Sequence, residues 1–426
     1  MTAPFVLFSM FFFFLVIGAP IVVALGASAM AVYIATGDDF ISLVQTAWAA
    51  VDSFPIMALP AFILSGALMQ ASGISRRLVN IAELLAGNMA GGLGFSAILA
   101  SMFFGAISGS GPATTAAVGM LMIPALVDKG YNKGYSAALT ASSGGLGVVI
   151  PPSIPMVIYG VTASESITQL FIAGVIPGIL LAFGLMLTNY LISKKKGYSA
   201  GENRAKGSLR KALRDGIWAM LAPVVILGGI YSGLFTPTEA AVVSVFYTLF
   251  VGIFIYRELS IPGIKESLNS TTWLTGRVLI IMFTATAFGR ILVENDTPAV
   301  IADGLLALTD NLALIWLIVI VFLIFVGMFM ETLATIMIVT PVLLPVMVSL
   351  GVHPIHFGVV LVCCCEIGFS TPPLGENMFI SSSIAKVSIE EISVKAIPFV
   401  LVEIGIVLLM AYIPETVMWL PSLIGY

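Results

Sequence analysis

Apolar residues run through this chain in long stretches, and those stretches set its architecture before any motif does. From Pro4 to Ala35 no charged residue interrupts a series of Phe, Leu, Val, Ile and Ala. The segment has no basic start, so it reads as a first membrane span that is kept rather than as a cleaved signal peptide. Similar runs recur to the C-terminus at about the 20 residues that carry a helix across a bilayer core. They predict an all-α integral membrane protein with about nine crossings. Four places break the pattern: SGSGPATT at Ser108–Thr115, VVIPPSIPM at Val148–Met156, GMFMETLAT at Gly327–Thr335 and FSTPPLGEN at Phe369–Asn377. Proline removes a backbone donor and clashes with the preceding turn, so such breaks persist at membrane depth only where protein, ions or water supply partners.

Composition agrees with the pattern: 426 residues, 59% hydrophobic and 9% charged. The net charge of −4 conceals a basic cluster, Lys194, Lys195, Lys196, Arg204, Lys206, Arg210, Lys211 and Arg214. In a membrane protein such a cluster marks the cytoplasmic side and implies no nucleic-acid partner. Walking outward from it places Lys129 and Lys133 inside, but also Arg76 and Arg77. The apolar segment 90–127 between them therefore enters and leaves on one face, as a re-entrant hairpin. Segment 312–350, flanked by loops without Lys or Arg, reads as a second hairpin entering from the opposite face. Lys386 and Lys395 return inside, which leaves the C-terminus outside and the N-terminus cytoplasmic.

The halves are related. A shift of 221 carries Pro124, Gly130, Gly147, Pro151, Pro152 and Pro177 onto Pro345, Gly351, Gly368, Pro372, Pro373 and Pro398, and Thr114 onto Thr335. Halves of opposite orientation are the inverted-repeat plan of secondary transporters. The organisation expected is an N-terminal span with an outer segment at 1–52 and a first repeat at 53–192 broken near 150–153. A basic loop at 193–215 and scaffold spans at 216–258 follow. A second repeat at 270–414, broken near 371–375, precedes a tail at 415–426. "SRRLVNIAELLAG" and "TPAVIADGLLAL" read as amphipathic arms bracketing the hairpins, so that hairpins and broken spans could slide as one block, an elevator arrangement.

Half-helix ends present carbonyls or N–H groups, and Ser and Thr add neutral oxygens. Ser108, Ser110, Thr114, Ser142, Ser143 and Gly145 are the expected Na+ ligands of the first half, and Glu331, Thr332, Thr335, Ser370 and Thr371 those of the second. The lack of His and Cys at either tip argues against a transition metal. A lipid-facing carboxylate at mid-depth costs about 2.5–3.5 kcal/mol, so Glu331 and Glu376, at breaks, are expected to be functional. Glu366 and Glu403 are read as paired or near an interface, and Glu239 as a capping box with Thr236. His353 and His356 are expected in a solvated outer loop. Cys363, Cys364 and Cys365 are consecutive in an apolar run, which argues against a disulfide. There is no P-loop, no HExxH, and no nucleophile paired with a base, so the chain is not read as an enzyme.

"GAISGSGPATTAAVGMLMIPAL", "GGLGVVIPPSIPMVIYG" and "FSTPPLGENMFI" resemble the large, DctM-like membrane subunit of tripartite ATP-independent periplasmic (TRAP) transporters. The resemblance implies Na+-coupled uptake of a carboxylate solute through the bacterial inner membrane, with at least two Na+ sites. It also implies an elevator mechanism and two partners, a small four-helix membrane subunit (Q type) and a periplasmic substrate-binding protein (P type). Within the matching motifs it assigns Ser108, Gly109, Thr115, Ser153, Pro373, Glu376 and Asn377 to the solute. The whole chain looks most similar to the sialic acid (N-acetylneuraminate) branch. A C4-dicarboxylate or another sugar acid as solute, and a stand-alone Na+/dicarboxylate or citrate carrier, are the alternatives.

Overall fold

The computed structural model describes residues 3–85, 89–198, 209–372 and 375–425. Within these residues every regular element is a helix. Eight helices are long and apolar enough to cross a membrane, and a ninth span is the pair Lys133–Val149 and Ile154–Ala163, bent by 43° at its break. Arg204 and Lys206 of the basic cluster lie outside the described residues.

The N-terminus departs from the expected single span. Two helices, Ala3–Val16 and Ile21–Thr36, pack side by side. The turn between them uses Gly18 at φ 77°, and Pro20 starts the second helix. Glycine is the residue that takes a left-handed conformation without strain, and proline supplies no N–H to continue the first helix. The basic loop is also shorter than expected, because helix Ile167–Lys196 carries the three lysines as its last turn and helix Leu209–Tyr231 begins before Arg210. The boundary expected at 270 falls inside one continuous helix, Ile261–Glu294. The tail holds a further helix, Glu415–Leu423, docked on Ile167–Lys196.

The two halves correspond element by element. The first hairpin comprises Gly92–Ser108 and Gly111–Asp128; the second comprises Leu312–Gly327 and Thr332–Ser349. The first broken span is Lys133–Gly144, Leu146–Val149 and Ile154–Ala163; the second is Pro354–Phe369 and Glu376–Ala385. Arms Ile74–Leu85 and Thr297–Leu308 precede the hairpins. Contacts cross between halves reciprocally: Ile154–Ala163 packs on Thr332–Ser349, and Glu376–Ala385 packs on Gly111–Asp128. Reciprocal contacts of equivalent elements are what a two-fold relation produces.

The broken spans occupy the centre. Every residue from Gly134 to Val149 and from Ile355 to Ser370 is buried, as are Pro151, Pro152 and Ser153, so the helices leading into both breaks and the first break itself are kept from lipid by the rest of the chain. Large apolar residues such as Phe183, Phe246 and Val321 are instead exposed on the outer surface. His353 is exposed and caps helix Pro354–Phe369 through Ile355 N, 3.2 Å away. His356 does not lie in a solvated loop: it is buried one turn along that helix, 2.8 Å from Met410 O and beside Trp316. Thr236 and Glu239 form the expected capping box. The three cysteines are free and buried.

The arms differ in kind. Ile74–Leu85 buries Ile74, Leu78 and Ile81 and packs on the first hairpin and on Leu209–Tyr231. Its Arg77 pairs with Glu258 at 2.8 Å and lies 3.6 Å above the Tyr256 ring. Thr297–Leu308 buries only Thr297 and packs on the second hairpin's return helix.

Candidate transport site

At the first hairpin tip the chain reverses through two residues. Gly109 ends one helix at φ 62°, and Ser110 caps the next through Ala113 N, 3.4 Å away. Ser108 Oγ lies 3.0 Å from Thr114 Oγ1, which donates to Ser110 O at 2.7 Å. The tip sits on its own broken span: Ile154 N donates to Gly109 O at 3.2 Å. A Cβ on Gly105 would lie 2.6 Å from Gly147 Cα, and one on Gly147 would lie 2.8 Å from Ser110 O. Glycine at both positions is what lets the two backbones touch. The second hairpin repeats this contact, with Gly327 against Cys365 and Gly368.

The expected Na+ ligands separate into groups. Ser108, Ser110 and Thr114 form one cluster at the tip. Ser143 turns the other way, to Ser101 Oγ at 3.2 Å and Thr140 O at 3.3 Å, while Ser142 Oγ has no partner among the described residues. Gly145 faces the carboxylate of Glu366. In the second half Thr335 Oγ1 donates to Glu331 O at 3.1 Å, and Thr371 Oγ1 to Ile367 O at 2.6 Å. Ser370 reaches across to Ala141 O at 3.5 Å, and Thr332 Oγ1 is unpartnered. The tip hydroxyls of Ser108, Ser110 and Thr114 and the orphaned, buried Thr332 hydroxyl are neutral oxygen donors of the kind a hard monovalent cation takes. Ser108, Ser110 and Thr114 would hold it at the first tip, Glu331, Thr332 and Thr335 at the second.

Between the tips lies a cleft of about 100 Å³. Gly109, Ser110, Gly111 and Pro112 line one side, Glu331, Thr332 and Leu333 another. Ile154, Pro155, Phe369 and Glu376 from the broken spans and Ile63, Leu274, Arg277 and Val278 from two long helices complete it, with Val148. Four helices begin at this cleft, with Gly111, Ile154, Thr332 and Glu376 as their first residues. Helix N-termini carry unsatisfied N–H groups and partial positive charge. Arg277 adds the one cationic side chain in the lining, near the midpoint of helix Ile261–Glu294, and bonds Glu331 at 2.7 Å. Against these positive elements the lining sets two carboxylates, Glu331, which is paired with the guanidinium, and Glu376, at two of the four helix starts.

Of the residues assigned to the solute by resemblance, Gly109 and Glu376 line the cleft. Ser108 bonds Thr114 instead. Ser153 is buried, donating to Val148 O and capping Met156 N at 3.3 Å. Thr115 and Asn377 are wholly buried behind the cleft, around Glu366. Pro373 lies outside the described residues. Glu366 makes no ion pair among the described residues: it is buried, accepting from Asn377 Nδ2 at 2.9 Å. Sequence reasoning passed over Arg277, although a charge midway along an apolar run is its own signal.

Two related halves, paired hairpins docked on broken spans, and a cleft where four helices begin are the plan of a membrane permease of the secondary-transporter class. Residues 8–416 match the family described as "Tripartite ATP-independent periplasmic transporter, DctM component". The chain belongs to that family, as a large permease subunit for organic-acid uptake and not as an enzyme. It is 44% identical over 419 residues to the isethionate TRAP transporter permease protein DctMQ of Oleidesulfovibrio alaskensis, covering 97% of this chain and 66% of that protein. It is 34% identical over 442 residues to the C4-dicarboxylate permease DctM of Rhodobacter capsulatus, covering 99% of each. Identity to the sialic acid permease SiaM of Vibrio cholerae is 36%, covering 96% of each. The YdaH transporter of Alcanivorax borkumensis shares the fold, with a TM-score of 0.64 at 16% identity, covering 87% of this chain and 88% of that one.

Proposed function

We propose that this chain is the Na+-coupled permease of a three-component importer in the bacterial inner membrane, working with a Q-type membrane subunit and a P-type periplasmic binding protein. The observation that carries the reading is the convergence of four helix starts on Arg277. A solute's acid group would replace Glu331 on the guanidinium, since Arg binds planar oxyanions in a fork.

Arg277 stands on helix Ile261–Glu294, outside the block of hairpins and broken spans, whereas Glu331 stands at a hairpin tip. An elevator stroke would therefore have to break this pair, and a solute that competes for Arg277 weakens the tie. In this reading the basic cluster faces the cytoplasm and the tail at 415–426 faces the periplasm.

Isethionate, C4-dicarboxylates and sialic acid, named for the relatives, share an anionic group. The higher identity to the isethionate relative favours a two- to four-carbon sulfonate or carboxylate over the larger sialic acid. Counterflow into proteoliposomes preloaded with isethionate, succinate or N-acetylneuraminate ranks them. Exchange of a short anion alone supports the reading; exchange of N-acetylneuraminate alone returns the chain to the sialic acid branch. Exchange of none of the three removes the assignment.

A further inference from the structure

The shift of 221 pairs Gly145 with Glu366, and these equivalent positions touch. A Cβ on Gly145 would run into the Glu366 carboxylate. Equivalent positions meet each other only beside the axis that relates the halves. Glu366 is 5% exposed, and its Oε2 has no hydrogen-bond partner among the described residues. It also makes no ion pair there. Gly111 approaches so closely that a Cβ on it would lie 3.1 Å from this Oε2 and 3.5 Å from Asn377 Nδ2.

Further unpartnered oxygens lie on the elements that touch this carboxylate. Thr115 lies one turn beyond Gly111 on the same helix face, and its Oγ1 abuts Gly144. Thr115 Oγ1, Ser142 Oγ and Asn377 Oδ1 are all unpartnered, in residues at most 1% exposed. Glu403, on helix Ile389–Tyr412, is a second buried acid with an oxygen unpartnered among the described residues. Buried charge and orphaned polar atoms are each costly, and a carboxylate with no cationic side chain beside it is the costliest.

We infer that Glu366 is the anionic ligand of a monovalent cation site on the pseudo-two-fold axis, with Thr115, Ser142 and Asn377 as neutral oxygen donors. The site is additional to those at the hairpin tips and takes ligands from both halves. It rests on the sodium-coupled reading, with Na+ as the cation. Occupancy adds ion contacts between the first hairpin and both broken spans, which already pack together. Gly145 is glycine because any side chain would fill the space the carboxylate needs.

The test is thermal unfolding of the full chain in nanodiscs with its small membrane subunit, titrated with NaCl against choline chloride at constant ionic strength and without solute. Wild type is expected to gain stability with sodium specifically, and Glu366→Gln to raise the half-saturating sodium concentration by about tenfold or more. Thr115→Val, which keeps the carboxylate, is expected to raise it in the same direction and provides the readout if Glu366→Gln does not fold. Wild-type curves in both variants would overturn the axial site while leaving sodium coupling intact. A wild type that gains no stability from sodium and takes up solute without it would overturn both. An unchanged sodium curve in Glu366→Gln together with loss of the pH dependence of uptake would assign the carboxyl to a proton and also overturn the site.

Discussion

Replacing Arg277 tests the transport site at its most exposed point. The guanidinium holds Glu331 at 2.7 Å, with side-chain exposures of 41% and 17%, so the pair is partly screened and its contribution to folding is modest. Its contribution to solute binding is larger. A charge-assisted hydrogen bond to an ionised group contributes about 1.5–3 kcal/mol, which corresponds to roughly ten- to hundredfold in affinity. Arg277→Gln should therefore raise the solute KM by that factor. Arg277→Lys should fall between, because it keeps the charge and loses the fork. Truncating Arg277 also leaves Glu331 facing the cleft alone, so Arg277→Gln with Glu331→Gln should recover thermal stability but not solute affinity. The assay is initial-rate uptake at graded solute concentrations into proteoliposomes with matched protein content. KM within twofold of wild type in both single variants would show that the anion does not use Arg277, and the cleft would lose its role.

Other sites give independent predictions. Gly105→Ala sets a methyl into the Gly147 backbone, and overpacking of this kind costs about 1–3 kcal/mol; a lowered unfolding midpoint is expected, and an unchanged midpoint would mean the hairpin is not seated there. Ser108→Ala removes the hydroxyl facing Thr114 and should raise the sodium concentration needed for half-maximal uptake while expression stays normal; an unaltered sodium curve removes Ser108 from the ion site. Arg77→Ala leaves Glu258 only its longer pair with Arg76, at 3.7 Å, and uncovers Tyr256, where a cation over a ring contributes about 0.5–1 kcal/mol. It should loosen the arm, read as faster amide exchange over Ile74–Leu85; unaltered exchange there would leave the pair without an anchoring role.

How much the sequence disclosed follows from what each feature depends on. Hairpins and breaks were legible because their causes are local: Gly109 and Ser110 make a two-residue reversal, and Pro151–Pro152 cannot continue a helix whatever surrounds them. The repeat was legible because prolines and glycines of the two halves keep one spacing. Rotational phase was not legible. Ser142 and Ser143 are neighbours about 100° apart on a helix, and only packing decides that one hydroxyl is left buried without a partner and the other meets Ser101. For the same reason Thr114 falls at the tip and Thr115 behind it.

Charges were read as loop markers, which found the basic cluster and passed over Arg277, a charge within a span. His356 was misplaced because "GVHPIHFG" looks like a loop until His353 is seen to cap the helix that buries His356. The N-terminal run looked like one span because its turn needs only Gly18 and Pro20.

The most direct test of the central claim is uptake of a radiolabelled short organic anion into proteoliposomes holding this chain and its small membrane subunit, with the periplasmic binding protein outside and an imposed inward Na+ gradient. The account predicts concentrative uptake that disappears when the gradient, the small subunit or the binding protein is omitted. Equal uptake without the binding protein would make this a stand-alone carrier, and equal uptake without the gradient would contradict sodium coupling itself.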